Sequence, residues 1–128
     1  MDIKVYKPCY KKAIMDLTER QFPGVQVPWD MILTNGVTEV CLDGSKFIGF
    51  ITGIPKDDEL FIIQFSVRKH GNGLPLGVHY LKTATALGYK RLKCTCAMNN
   101  PIVSALKRFN FKVVGVSSDN RVMLTKDL

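Results

Sequence analysis

Residues Ser66 to Gly77 read SVRKHGNGLPLG. The stretch joins an almost wholly apolar run, Leu60 to Phe65, to a segment of helical periodicity. Such a turn leaves backbone N–H groups unpaired, and the helix that follows adds about half a positive charge at its N-terminus. Gly71 and Gly73 lack the Cβ that would keep a ligand off the backbone. Arg68, Lys69 and His70 supply donors and positive charge beside them. These parts suit a diphosphate. The dinucleotide pattern G-x-G-x-x-G would need a third glycine where Leu76 stands, and the closing Gly-Lys-Ser/Thr of a P-loop is missing. The spacing that remains is R-x-x-G-x-G, Arg68 to Gly73.

Charge singles out the same half of the chain. The net charge is +7 over 128 residues. Residues 1–60 hold seven Lys/Arg and nine Asp/Glu, whereas residues 61–118 hold nine Lys/Arg and no carboxylate. A region of one sign attracts anions, either a polyphosphate ligand or a nucleic acid. The basic half has few aromatics outside core positions, which argues against a nucleic-acid surface.

The elements that must position this turn follow from periodicity. Asp2 to Tyr6 alternates as a strand. From Pro8, residues Tyr10, Ala13, Ile14 and Leu17 mark a helix, and WDMILTN a short second one. Two β-rich runs flank Asp43-Gly44 and predict a hairpin. LFIIQFSV predicts a strand buried on both faces. Leu74, Val78, Leu81 and Thr85 stripe a third helix, which Gly88 ends. KRLKCTC is a strand. Asn100 caps a fourth helix with Pro101 at its first position, and FKVVGV and RVMLT close the chain as strands. The order β-α-α-β-β-β-α-β-α-β-β predicts one domain over residues 1–128. Its sheet is mixed, of α/β (α+β) class, and residues 58–67 and 90–96 are adjacent parallel strands in it. The helix near residues 74–87 joins those two strands.

R-x-x-G-x-G between the fourth strand and third helix resembles the GNAT superfamily of N-acetyltransferases. LDGSKFIGFITGI is similar to its second-to-third strand hairpin, LGYKRLKCTC to the end of its third helix and its fifth strand, and NNPIVSALKRFNFKVVG to its fourth helix and sixth strand, so the resemblance spans essentially the whole chain. It implies a mixed central sheet flanked by helices, with the parallel fourth and fifth strands splayed apart. It implies acetyl-CoA as acyl donor, with no metal. The acetyl group would pass to an amine of a small molecule or protein by direct attack in a ternary complex. The alternative is a CoA-binding or interaction module of the same fold. By the same resemblance Phe65, Val67, Arg68, Lys69, His70, Gly71, Asn72, Gly73 and Asn99 contact the cofactor. The tyrosine that often reprotonates the departing thiolate is replaced by Leu106, and the glycine before Phe111 by Asn110. Ser66, Ser104 or water stands in for the tyrosine.

The base is open among Glu39, Glu59, Asp30 and His70, with Gln64 unable to serve and water as a further route. His79 reads as a surface residue. Cys94 and Cys96 share a strand face as plain thiols, two ligands short of a metal site. Four cysteines without a C-x-x-C pair, and an N-terminus without an apolar core, point to a cytoplasmic protein. Trp29 lies either in the acceptor pocket or in an anchor beneath it. No motif reads out the acceptor or the oligomeric state.

Overall fold

The computed structural model describes residues 1–68, 73–100 and 102–128. A seven-stranded sheet, in the order β1-β2-β3-β4-β5-β7-β6, carries helices on both faces. Its strands are β1 (Asp2–Val5), β2 (Val37–Asp43), β3 (Lys46–Lys56), β4 (Glu59–Val67), β5 (Arg91–Ala97), β6 (Lys112–Val116) and β7 (Arg121–Asp127). The helices are α1 (Lys11–Gln21), α2 (Trp29–Asn35), α3 (Gly73–Ala86) and α4 (Ile102–Arg108), with a 3-10 turn at Pro8–Tyr10. Every strand pair is antiparallel except β4–β5, which is parallel as the chain order requires.

Side-chain alternation separates two cores. Val40, Leu42, Phe47 and Phe50 meet Ile14 and Leu17 of α1 and Trp29 and Leu33 of α2 on one face. Cys41, Ile48, Ile51, Leu60, Leu92 and Leu124 meet Leu76, Tyr80 and Ala84 of α3 on the other. Trp29 is an anchor: it is buried and sets its ring edge-on to Phe50 at 5.9 Å. Predicted turn chemistry is present. Gly44 (φ +61°), Gly88 (φ +91°) and Asn110 (φ +67°) all take the left-handed conformation. The Asn100 side-chain oxygen accepts the Ile102 N–H at 3.0 Å, while Pro101 lies outside the described residues.

One strand departs from the sequence reading. β4 is not buried on both faces, and Ile63 is 42% exposed. Gly53 pairs with Ile62 but Thr52 with Gln64, so Ile63 is the extra residue of a β-bulge. The bulge reverses the alternation. Leu60 and Ile62 face α3 before it; Phe65 and Val67 face α3 after it, and Gln64 and Ser66 turn to α1. The parallel pairing with β5 ends at Ile62–Cys94, although β4 runs on to Val67 and β5 to Ala97. Apolar residues past that point lie over a gap instead of under a neighbouring strand.

Gly53, at this bulge, has no room for a side chain. A Cβ there would stand 2.6 Å from the Tyr80 hydroxyl and 3.1 Å from the Phe61 carbonyl. Gly53→Ala is therefore expected to destabilise the fold by about 1–3 kcal/mol, as overpacking in a rigid core does. The midpoint of a denaturant titration reads this directly.

Candidate active site

The gap between β4 and β5 has two backbone walls. The Arg68 N–H bonds the Ile48 carbonyl at 2.8 Å, which fixes the ladder phase. Gln64 and Ser66 therefore face β3 with their backbone, and Phe65 and Val67 turn theirs toward β5. On the far side, the Met98 N–H bonds the Asn120 carbonyl at 2.8 Å, so Thr95 and Ala97 turn their backbone groups toward β4. Side chains hold one carbonyl on each wall. Gln21 Nε2 donates to the Val67 carbonyl at 3.0 Å, and Arg121 donates to the Thr95 carbonyl at 3.3 Å. The Phe65 and Val67 N–H groups remain directed into the gap.

The α3 N-terminus sits over this gap because of glycine. A Cβ at Gly73 would lie 3.0 Å from the Phe65 ring, and one at Gly77 would lie 3.3 Å from it. The two glycines thus seat the Phe65 ring beneath the first turn. Gly73 was expected to matter to a ligand far more than to the fold, but its close contact with the Phe65 ring makes it part of the packing as well. Lys69, His70, Gly71 and Asn72 lie outside the described residues. Arg68 is exposed at the end of β4, and Asn99 is exposed in the turn after β5.

Of the candidate bases, none of the described ones lines the gap. Glu39 lies on the α3 face of β2, across β3 from Phe65, and is 3% exposed. Its carboxylate takes His79 Nδ1 at 2.9–3.0 Å and the Thr83 hydroxyl at 2.9 Å, both from α3. Enclosed by these partners, it clasps the helix to the sheet instead of meeting a substrate. His79 is exposed, as its place off the apolar stripe predicted, and its ring nitrogen forms the other half of this clasp. No local signal pairs the two, because they are 40 residues apart and meet only when α3 crosses β2. Glu59 stands at the opposite end of β4 and bridges Arg91 and Lys93. Asp30 pairs with Lys11 and ties α2 to α1.

Ser66 does not reach the gap either. Its side chain is buried under α1 and accepts from Gln64 Nε2 at 3.1 Å, while the same amide donates to Thr18 Oγ1 at 3.3 Å. Leu106 is half-buried and packs against the α3-side core. Burial pushes the Cys94 thiol up to about 12 and raises that of Cys96, so both stay protonated near neutrality. Among the described residues no group of three metal-ligating side chains is found. No described helix is long and apolar enough to cross a membrane. Two concavities, about 430 Å³ between α1 and α2 and about 300 Å³ beside β6 and β7, lie off the gap.

A bulged fourth strand splayed from a parallel fifth one, with a helix starting over the gap, is the architecture of the GNAT acetyltransferases; the chain has that fold. Solved structures agree over nearly its full length. An aminoglycoside 6'-acetyltransferase type Ii superposes with a TM-score of 0.85 at 17% identity, covering 99% of this chain and 97% of the other. An acetyltransferase from Bacillus subtilis in complex with CoA gives 0.82 at 17% identity, over 98% and 97% of the two chains. An aminoglycoside 6'-N-acetyltransferase from Enterococcus faecium gives 0.80 at 15% identity, over 99% and 97%. No protein-family model and no curated protein matches the sequence.

If Glu39 is a clasp, its removal is a stability event. Glu39→Ala leaves the Thr83 hydroxyl and His79 without their buried acceptor and is expected to cost about 1–3 kcal/mol. Thermal or denaturant unfolding checks the size.

Proposed function

We infer that the protein is an N-acetyltransferase that takes acetyl-CoA in the β4–β5 gap. The observation that carries the reading is the pair of Phe65 and Val67 N–H groups directed into a gap that opens beneath the first turn of α3. A pantetheine arm has amides spaced to pair with such an edge as an added strand would. The diphosphate would lie at the glycine-rich turn, held by backbone N–H groups and by Arg68, Lys69 and His70, with Asn72 and Gly73 closing the turn. Asn99 would meet the arm from the end of β5.

The chemistry asked of the chain is modest. A neutral amine attacks the thioester carbonyl, and the N–H groups near Phe65 to Val67 receive the developing oxyanion. The amine proton leaves through water, and water returns one to the departing thiolate. The acceptor is an amine of a small molecule or protein. The aminoglycosides named for two of the similar structures are one class to test.

A second reading has its own support. With Glu39 clasped and Leu106 where a hydroxyl is customary, the same gap would serve a module that binds CoA without turnover. Calorimetric titration with acetyl-CoA, followed by thiol release with a panel of amines, separates the two. Binding with release supports the enzyme; binding without release supports the module; absence of binding overturns both.

Two sets of variants test the placement. Arg68→Ala is expected to weaken acetyl-CoA binding roughly tenfold with unchanged melting, because an exposed charge-assisted contact is modest. Lys69→Ala should cost less and mainly flatten the salt dependence. Gly73→Val should weaken binding most, and it should also lower the melting temperature, since the new side chain meets the Phe65 ring. Leu106→Tyr should fold, given the half-buried site, and raise turnover; a loss of folding would show that the core contacts of Leu106 admit no larger side chain.

A further inference from the structure

Arg121 is the one cation on its face of β5 and β7 that has no carboxylate partner among the described residues. Side chains of directly paired residues share a face, so Arg91, Lys93, Thr95 and Ala97 of β5 project together with Asp127, Thr125, Met123 and Arg121 of β7. At the closed end of the sheet the charges are neutralised. Arg91 bonds Asp127 at 3.0 Å and Glu59 at 3.3 Å, and Lys93 bonds Glu59 at 3.2 Å. At the open end, Arg121 meets only Thr95: the carbonyl at 3.3 Å and the hydroxyl at 3.5 Å, both through one terminal nitrogen. Both contacts are long for a guanidinium. A guanidinium carries five N–H donors, so most of this fork is unused.

Its position is informative. The Thr95 carbonyl faces the gap, so the guanidinium has crossed β5 to reach the gap's edge. It does so on the face away from α3, the face to which Gln64 and Ser66 turn under α1. One acid, the exposed Asp119 of the β6–β7 turn, lies within range of this charge: its bond from the Ser117 hydroxyl and, to a lesser degree, the Arg121 guanidinium hold its carboxyl below the usual range, but it makes no ion pair with Arg121. An amine entering from this face meets amides, hydroxyls and one under-used guanidinium.

We propose that Arg121, with the Thr95 hydroxyl, is an anion anchor for the acceptor, which is an amine bearing a carboxylate or phosphate a few bonds from its nitrogen. This rests on the acetyltransferase reading above. The guanidinium fork suits two oxygens of such a group, and it disfavours a polycation by like charge. Arg121 thus acts as a specificity residue that positions the amine; it takes no part in bond making.

The test uses full-length protein, acetyl-CoA and amines matched except for the anion. These are β-alanine against β-alaninamide, 3-aminopropylphosphonate against propylamine, and an aminoglycoside as the polycation. Thiol release gives kcat and KM, and calorimetry gives acetyl-CoA affinity. The expected result is a preference of roughly tenfold in kcat/KM for the anion-bearing member, the size a partly exposed charge-assisted bond supports. The two anionic arms show whether carboxylate or phosphate is favoured. Arg121→Ala should collapse the preference through KM, Arg121→Lys should keep part of it, and Arg121→Glu should invert it, with apo melting curves verifying the fold of each. A wild-type preference that survives Arg121→Ala overturns the proposal, as does an equal response to the matched pairs, transfer only to the aminoglycoside, or transfer to none of them. Failure of the acetyl-CoA titration itself would instead remove the enzyme reading beneath it.

Discussion

The structure turns on one withheld interaction: β4 and β5 stop pairing at Ile62–Cys94 while both strands continue. A parallel ladder interrupted mid-sheet exposes backbone groups that a continuous sheet would satisfy. The fold tolerates this because the strands are each secured on their outer side, β4 by β3 and β5 by β7. The bulge at Ile63 belongs to the same arrangement. By adding one residue it turns Phe65 and Val67 toward α3 and sends Gln64 and Ser66 toward α1. Without it the polar pair would face the α3 core and the aromatic ring would have no glycine seat.

The helix above the gap is held at separate points along its length. Gly73 and Gly77 admit the Phe65 ring close to the axis at its start. The Tyr80 hydroxyl donates to the Val37 carbonyl at 2.7 Å in its middle, and burial raises that phenol further above its ordinary range, keeping the donor proton in place. His79 and Thr83 grip the Glu39 carboxylate beside it. A helix tied this way presents its first turn in a fixed position relative to β4. Preorganised donors are worth more than mobile ones because no ordering is needed when the ligand arrives.

Much of this was legible in residue order. The element sequence, the parallel pair, the left-handed Gly88 and the Asn100 cap all follow from local rules: periodicity, punctuation and crossover handedness. Glu39 shows where such rules end. Its alternation predicted a strand residue correctly, but which of the two faces it occupies depends on pairing with Val5 and Ile51, and its partner lies 40 residues on. Ser66 was misplaced for a related reason. Its neighbours in sequence look like site residues, yet the bulge three positions earlier decides which way it points. The apolar run Leu60 to Phe65 read as doubly buried because nothing in its composition announces that one neighbour strand departs.

Charge completes the picture at the level of the whole sheet. The carboxylate-free run, residues 61–118, supplies the gap's β4 wall beyond Glu59, the glycine turn, α3 and β5. Of the acids that fold back onto this half, Glu39 takes His79 and Thr83 of α3, and Glu59 and Asp127 take up Arg91 and Lys93 at the far end of β5. Positive charge is therefore ion-paired at one end of β5, whereas at the other, beside the gap, Arg121 has only the exposed Asp119 within range and no ion pair. Pairing at the far end lowers repulsion within the fold, and the absence of an ion pair at the near end leaves a weaker local positive field there. Screening limits that field to about 8–10 Å at ordinary ionic strength. Its reach thus covers the gap and its two mouths, and an anionic group bound there would supply the ion pair that Asp119, held by Ser117, does not make.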